Sequence, residues 1–503
     1  MKINKNIKIL GLFFLILLLH TAVYGDERTG ENQNVMRLSL LDCIRLAFKN
    51  NPDIKIEEFN PQIQDTYIAK EESAFDPVFA IDLVNKRDDV PTATSFLAGA
   101  DVSIVEEINV DIGIEQRLIT GGDYELKFLN NKYESNASFQ SPNPAYFSGL
   151  AWTFTQPLLK DFGKEVNEAE IVISKNNKEI STEMFRFQVM KTVLEVEKVY
   201  WDMVWAVDDL KVKELSLKEA QDLLEINKSK VDVGLLPPID VLEAEAGVAN
   251  RFHETISARD RIQDTQDKLK SMTHIMDDMK LWDIEIEAID RPILKTETQG
   301  VVNCVAAAFE NRPDYLGIKK DLRNKDIRIK VTKNQLLPTL DLVGSLGLNG
   351  LDGEYGTNID DISSGDFTSW SIGLSVKVPW GNQSAKSDYM QSKLEKMRSL
   401  ARFKKLEQDI ILETRESIRQ IETDLKRIES TNVALQLEEA KLETEKKRFE
   451  QGLATSHDLL EFQSDVAEAR TNNLKATIDY NKSIANLENA KGTLLNKWDI
   501  RFE

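Results

Sequence analysis

The feature that most constrains this chain is that it states one pattern twice. Cys43, Ala47, Phe48, Asn50, Pro52 and Asp53 recur as Cys304, Ala308, Phe309, Asn311, Pro313 and Asp314, a shift of 261 that also relates Pro77 to Pro338. Further along the shift becomes 218: Gly234 and Leu235 align with Gly452 and Leu453, Asp240 with Asp458, and Leu242-Glu243 with Leu460-Glu461. A repeat of this length means one architecture built twice. Each copy is expected to run short helix, medium helix, β region, very long helix, turn, long helix.

The helical parts carry the stronger signal. Val189, Val193, Val196, Tyr200, Met203, Val207 and Leu210 step alternately by four and three, and Leu217, Leu224 and Val231 continue at sevens. The second copy answers with Ile411, Ile418, Ile421, Leu425, Ile428, Leu435, Leu442 and Phe449. A heptad seam in register in both copies predicts coiled-coil helices over 164–232 and 381–449. At 1.5 Å per residue each would reach roughly 100 Å. Glu214, Gln221, Lys228, Asn432, Glu439 and Lys446 make the far half of the seam polar, so it should be more hydrated and looser. Gly234 and Gly452 end the seams as helix C-termini require. The return helices are expected to start near Pro238-Ile239 and at Ser456, read as an N-cap.

Between the helices the period is two. Ile108, Val110, Ile112 and Ile114 alternate with Asn109, Asp111, Gly113 and Glu115; Leu150, Trp152 and Phe154 alternate with small residues up to Pro157. The second copy is shorter: Leu340 and Leu342, a Gly/Asp-rich loop at 349–366, then Trp370, Ile372, Leu374, Val376 and Val378. Such faces fit a sandwich or a membrane barrel. Trp152, Trp370 and Trp380 near strand ends would suit an interfacial girdle.

The N-terminus has Lys2, Lys5 and Lys8, an apolar run from Ile9 to Leu19, and small residues before Asp26. It reads as a cleaved signal peptide rather than an anchor, being shorter than a bilayer span. With 84 acidic and 64 basic residues the net charge is −20, or −23 once the three signal lysines leave. That sign argues against nucleic-acid binding. Cys43 and Cys304 are expected to serve as small buried hydrophobes, a bridge between them being the less favoured reading. The histidines and cysteines lack nucleophile, base or metal-ligand spacing, so no catalytic residue, metal site or cofactor is called for.

Asn50-Asn51-Pro52-Asp53, the Gln156-Pro157-Leu158-Leu159 turn, the Gly-Leu tips and the duplication together resemble the TolC-like outer-membrane efflux proteins from about residue 38 to 498. The resemblance implies a mainly α fold with a β membrane region. Long antiparallel coiled-coil helices would form an α-barrel, and strands would join a β-barrel shared by a homotrimer. It divides the chain into signal peptide (1–25), N-terminal helices (26–76), β region with an extra hairpin at 107–134 (77–160), long hairpin (161–276), crossover (277–300), and a second set of helices (301–337), β region (338–380) and hairpin (381–498). The function implied is a passive exit duct of a tripartite efflux or type I secretion system, in the outer membrane and reaching into the periplasm. Its partners would be outer-membrane lipid, a periplasmic adaptor and, through it, an inner-membrane pump. A periplasmic adaptor or a structural coiled-coil envelope protein are the competing readings. Two full hairpins in one chain argue against the first, and the alternating strands against the second.

By the same resemblance the tips Gly234, Leu235, Gly452, Leu453, Ala454 and Thr455 would dock the adaptor. Asp458 and Glu461, with Asp240 and Glu243 as first-copy equivalents, would form an acidic ring at the periplasmic entrance. Each pair is spaced to share a helix face, and acids in a first turn also complement the helix dipole. The family's gate Tyr and Arg are replaced by Phe449 and Ala454. An iris-like opening, favoured by adaptor binding, is implied.

Overall fold

Cap chemistry sets the first junctions. Ser39 opens helix α1 (Leu40–Asn50) with a capping box: its hydroxyl accepts the Asp42 N–H, and the Asp42 carboxylate accepts the Ser39 N–H, each at 3.1 Å. Asn51 ends α1 and starts α2 (Pro52–Glu72), its Oδ1 accepting from the N–H groups of Asp53 (2.9 Å) and Ile54 (3.3 Å). Pro52 takes the first helical position, where a missing N–H costs nothing. The computed structural model describes residues 35–92, 101–275, 282–294 and 300–500. The expected signal segment at 1–25 lies outside these residues.

Ahead of α1 is a short strand β1 (Val35–Leu38). After Pro77 come four strands: β2 (Val78–Pro91), β3 (Val102–Arg117), β4 (Asp123–Ser135) and β5 (Ala145–Pro157). One helical turn, α3 (Lys164–Asn167), precedes the long α4 (Ala169–Asp232), which returns as α5 (Ile239–Thr273). Strand β6 (Glu285–Ala288) pairs in parallel with β1. The chain then repeats the order with α6 (Val301–Asn311), α7 (Pro313–Asn334), β7 (Thr339–Asp352), α8 (Tyr355–Ser364), β8 (Thr368–Lys377), α9 (Gln383–Glu450), α10 (Ser456–Ala490) and α11 (Leu494–Lys497).

The long helices lie in a single row. In the half nearer the sheet the order is α2, α4, α7, α9; in the far half it is α5, α4, α10, α9. With 64 and 68 residues, α4 and α9 run through both halves. The upper seam of α4 is as expected, with Val189, Val193, Val196, Tyr200 and Met203 fully covered. Around it pack α1, β1, β6 and α11 as the main core. Tyr200 ties this layer together: its hydroxyl lies 3.2 Å from Leu38 O and 3.0 Å from an Asp290 oxygen, and accepts the Asp290 N–H at 3.1 Å. Cys43 and Cys304 are both buried thiols and not a bridge.

Four details of the helices and their connections differ from expectation. In the lower half α4 buries Ser216, Ala220, Leu223 and Asn227, with Leu217, Leu224 and Val231 only half covered. A helix of 3.6 residues per turn drifts about 20° per heptad from a 3.5-residue seam, and α4 here has exchanged its upper neighbours for α5 and α10. The crossover read at 277–300 contains β6, which completes the two-stranded sheet with β1. The loop read at 349–366 holds the end of β7 and all of α8, seated on β5 and β7. There Asn358 is buried and donates to Ser148 Oγ at 2.6 Å, and its carbonyl oxygen would meet a Cβ on Gly350 at 2.2 Å. Finally, the N-cap of α10 is Thr455, with Ser456 inside the helix.

The six remaining strands make one antiparallel sheet in the order β2, β3, β4, β5, β7, β8. The hairpin read at 107–134 is therefore part of a larger unit, because β2 precedes it and pairs with β3 from Val78 to Pro91. Cross-strand partners share a face, so Phe79, Ile114, Leu126, Trp152, Leu346 and Trp370 form one apolar row across the whole sheet. The neighbouring row on the other face is Ala80, Gly113, Lys127, Ala151, Gly347 and Ser369. Trp152 thus sits mid-strand in β5 and not at a strand end; it is level with Trp370.

Asn51 carries a further bond, its Nδ2 donating to Met272 O at 3.0 Å and fixing α2 to the end of α5. Its counterpart Arg312 caps nothing; the guanidinium binds Asp314, Glu413 and Ala490 O. Asn51→Ala should therefore destabilise the α1–α2 junction by about 1–2 kcal/mol. Hydrogen exchange should accelerate in the first turn of α2, with the α6–α7 junction unchanged.

Candidate functional site at the hairpin tips

Each long helix must reverse direction at its far end, and both do so through the same backbone device. Gly234 and Gly452 have φ of +77° and +74°, left-handed values at which a side chain is strained. At the first tip the Gly234 N–H bonds Val231 O (2.9 Å) and the Leu235 N–H bonds Lys230 O (2.8 Å). At the second the Gly452 N–H bonds Phe449 O (3.1 Å) and the Leu453 N–H bonds Arg448 O (2.8 Å). These bonds satisfy the carbonyls that a helix end leaves open. The residue after each glycine is then thrown outward: Leu235 is 73% exposed and Leu453 64%. No atom lies within 4 Å of a Cβ placed on either glycine, so the tips are open on that side.

The second return helix starts in a capping box. Thr455 Oγ1 accepts the Asp458 N–H at 3.1 Å, and one Asp458 oxygen receives both the Thr455 N–H (3.0 Å) and hydroxyl (2.7 Å). Those bonds from Thr455 hold the Asp458 carboxyl below the usual carboxylate range. Of the acids singled out in the sequence, Asp458 is thus committed to the cap, and Glu461 one turn on is exposed. Asp240 lies in the first turn of α5 and Glu243 one turn later, both half-buried. Thr455 is likewise occupied as the cap, and Ala454 packs against the small cluster of Leu223, Leu442, Phe449, Leu459 and Val466.

The two hairpins are tied to each other by side chains that the repeat did not reveal. Buried Asn227 donates to Asp240 O (3.1 Å) and to Ser456 Oγ (2.9 Å), joining α4, α5 and α10. Lys230 sits 3.9 Å above the centre of the Phe449 ring and 3.5 Å from Phe449 O. Arg251, 6% exposed, reaches from α5 to Ser216 Oγ (2.9 Å) and Leu460 O (2.8 Å), and burial lowers its pKa. Lys446 pairs with Glu219 at 3.3 Å. A usable signal did exist: Asn227 falls on the four-three stripe with Ser216, Ala220 and Leu223, where a polar residue announces a buried partner.

No helix among the described residues is long and apolar enough to cross a membrane, a statement that does not bear on strands. Among the described residues no group of His, Cys, Asp or Glu is placed to hold a metal ion.

Residues 305–493 match the family described as outer membrane efflux protein. The chain is 21% identical over 405 residues to nodulation protein T of Rhizobium leguminosarum bv. trifolii, covering 80% of this chain and 81% of that one. It is 22% identical over 319 residues to outer membrane protein TolC of Escherichia coli, covering 61% of this chain and 62%, less than two thirds, of TolC. Its fold is similar to the Campylobacter jejuni CmeC outer membrane channel, with a TM-score of 0.66 at 16% identity over 94% of this chain and 91% of that one. It is also similar to the open state of the Neisseria gonorrhoeae MtrE outer membrane channel, with a TM-score of 0.63 at 16% identity over 92% and 91%.

Gly452→Ala should cost about 1–2 kcal/mol through its left-handed backbone, and Gly452→Asn less, since Asn tolerates that region. Hydrogen exchange at Leu453 and Ala454 reads the difference. The Asp458 cap makes a second expectation. A depressed folded pKa contributes stability that is present above the ordinary aspartate value and lost as pH falls through the folded one. Acidification should therefore loosen the start of α10 in the native chain, while Asp458→Asn is already loose at neutral pH and changes little.

Proposed function

We propose that this chain, whose residues 305–493 match the outer membrane efflux protein family and whose fold is similar to that of outer membrane channels, is a homotrimeric exit duct. It is located in the outer membrane and extends into the periplasm. In the proposed assembly the two copies of the repeat supply near-equivalent staves. Three chains place their helical rows side by side as a tunnel, and the six-stranded sheets face lipid. Cargo passes from an inner-membrane pump through an adaptor to the tunnel, in drug-type efflux or in type I secretion. Conduction is passive.

The observation that carries this reading is the apolar row from Phe79 to Trp370 on one sheet face, coupled to helices of roughly 100 Å. A lipid-facing sheet fixes one end of the rod in a membrane, and the rod then reaches far from it. At the far end the exposed Leu235 and Leu453 offer matched contacts to an adaptor, with Gly234, Gly452, Ala454 and Thr455 shaping the turns. Splaying of the hairpins would have to break the ties at Asn227 and Lys230, so adaptor binding must prefer the splayed state to populate it.

Three-fold repetition of Glu461, Glu243, Asp240 and Asp458 would make a negative constriction at the entrance. Ion conductance in planar bilayers tests this. Glu461→Gln with Glu243→Gln leaves the Thr455–Asp458 cap intact, and should weaken cation selectivity and block by trivalent cations. Selectivity identical to the native channel would sink the ring assignment. Failure of the purified chain to form any bilayer channel would sink the duct.

A further inference from the structure

We propose that the duct closes as an eighteen-stranded barrel, with β2 of each chain pairing to β8 of the next copy. The proposal rests on the trimeric reading above and goes beyond it: it names the mating edges and the width of the outer opening.

Three observations carry it. First, the sheet is continuous. β2 and β3 pair along fourteen successive positions, and the rows through Phe79 and Ile81 stay apolar across β3, β4, β5 and β7, the first reaching Trp370 on β8; further along β4 the same face turns polar at Asn130 and Lys132. A hairpin hanging off the barrel as a flap would not need Phe79 and Ile114 level with Leu126, Trp152, Leu346 and Trp370. Nor would it need a polar opposite face bearing Asp82, Asp111 and Glu115.

Second, the two edges have the chemistry of interior strands. Phe79, Ile81 and Leu83 on β2 are 55–72% exposed, and Trp370, Ile372, Leu374 and Val376 on β8 are 63–74% exposed. Soluble sheets blunt their edges with charge, proline or bulges; these faces carry none until Arg87 near the far end of β2. In lipid the unpaired backbone groups of both edges require a partner strand.

Third, the widths agree. Four helices at about 8–10 Å spacing occupy an arc of roughly 32–40 Å per chain. Strands at about 4.8 Å spacing, tilted by about 45°, occupy roughly 7 Å of circumference each, so six strands take about 40 Å while four take only about 27 Å. Six strands match the upper end of that range, and four fall short of its lower end. Three such sheets give a barrel of roughly 19 Å backbone radius, in the size range that leaves an aqueous channel. The outer opening is then as wide as the tunnel, and the entrance at the hairpin tips limits flow.

Paired cysteines in the full chain, oxidised in native membranes, test the closure. A matrix joins Phe79→Cys, Ile81→Cys or Leu83→Cys to Ile372→Cys, Leu374→Cys or Val376→Cys. Some pairs should yield covalent dimers and trimers that neither single variant gives. Separately, a fluorophore on Ile112→Cys should lose at least half its emission to brominated lipid, while one on Asp111→Cys, on the opposite face, should not. A trimer that gives no β2–β8 cross-link, or an Ile112 label untouched by the lipid, overturns the eighteen-stranded closure and leaves the duct standing. A chain that remains monomeric in the membrane overturns both.

Discussion

A peptide group in lipid has no water to fall back on, and this requirement governs the whole molecule. Each unsatisfied N–H or C=O in hydrocarbon costs several kcal/mol, so in the proposed lipid setting a sheet with two open edges would not stop at one chain. The helical part repeats the problem in apolar form. It is a strip one helix thick, with α2 and α5 at one margin and α9 at the other. Ile56, Phe59 and Ile63 lie exposed on α2, and Met390, Leu394 and Met397 on α9. In the proposed trimer one symmetry operation would cover the open strand edges and these exposed helix margins together.

Within a strip, α4 has the central place. Its upper seam is a dry stripe ending on Tyr200 and Met203, fully enclosed by α1, β1 and β6. Its lower seam changes to Ser216, Ala220, Leu223 and Asn227, and the contacts there run through hydrogen bonds from Asn227 and Arg251. Apolar burial is non-directional, whereas a buried polar contact holds only while its geometry is kept. α4 is thus held by apolar burial in the half nearer the sheet and by geometry-dependent polar contacts near the tips. In the proposed duct that gradient would suit an entrance that splays, and it arises from a few residue choices on α4 and α5.

The heptad seams, the Gly-Leu tips and the period-two strands could be read because each is a local pattern. Their far ends came through as well: α4 and α9 end within a residue or two of the expected 232 and 449, although α4 begins at Ala169 and leaves 164–167 as the separate turn α3. What escaped depends on partners remote in sequence. β6 is four residues long and exists because β1, some 250 residues earlier, lies beside it. α8 sits in a loop rich in Gly and Asp, and is held by Asn358 on Ser148 rather than by its own propensity. β2 is obscured by its run of Lys86, Arg87, Asp88 and Asp89, which hides the alternation of Phe79, Ile81 and Leu83. At the tips, Thr455-Ser456 offered two caps in succession; the chain uses Thr455 because only that choice puts Asp458 at the third helical position, where it can reach back.

That last choice also changes what the acidic residues mean. Aligned repeats suggest equal roles for Asp240 and Asp458, yet the residue three before Asp240 is Pro237, which has no N–H and no hydroxyl to offer. Asp458 is bound into a cap, while Asp240 contributes its backbone carbonyl to Asn227. Asn51 and Arg312 diverge in the same manner, one capping a helix and the other anchoring three separate acceptors. Duplication therefore preserved helix lengths and turns, which packing enforces in both halves, and left single polar positions free to take on different bonds. An entrance charge assigned by repeat symmetry alone would count all four carboxylates alike. The hydrogen bonds divide them: Asp458 stabilises the turn it occupies, and Glu461, exposed one turn on, is the acid of α10 on which the proposed entrance ring rests.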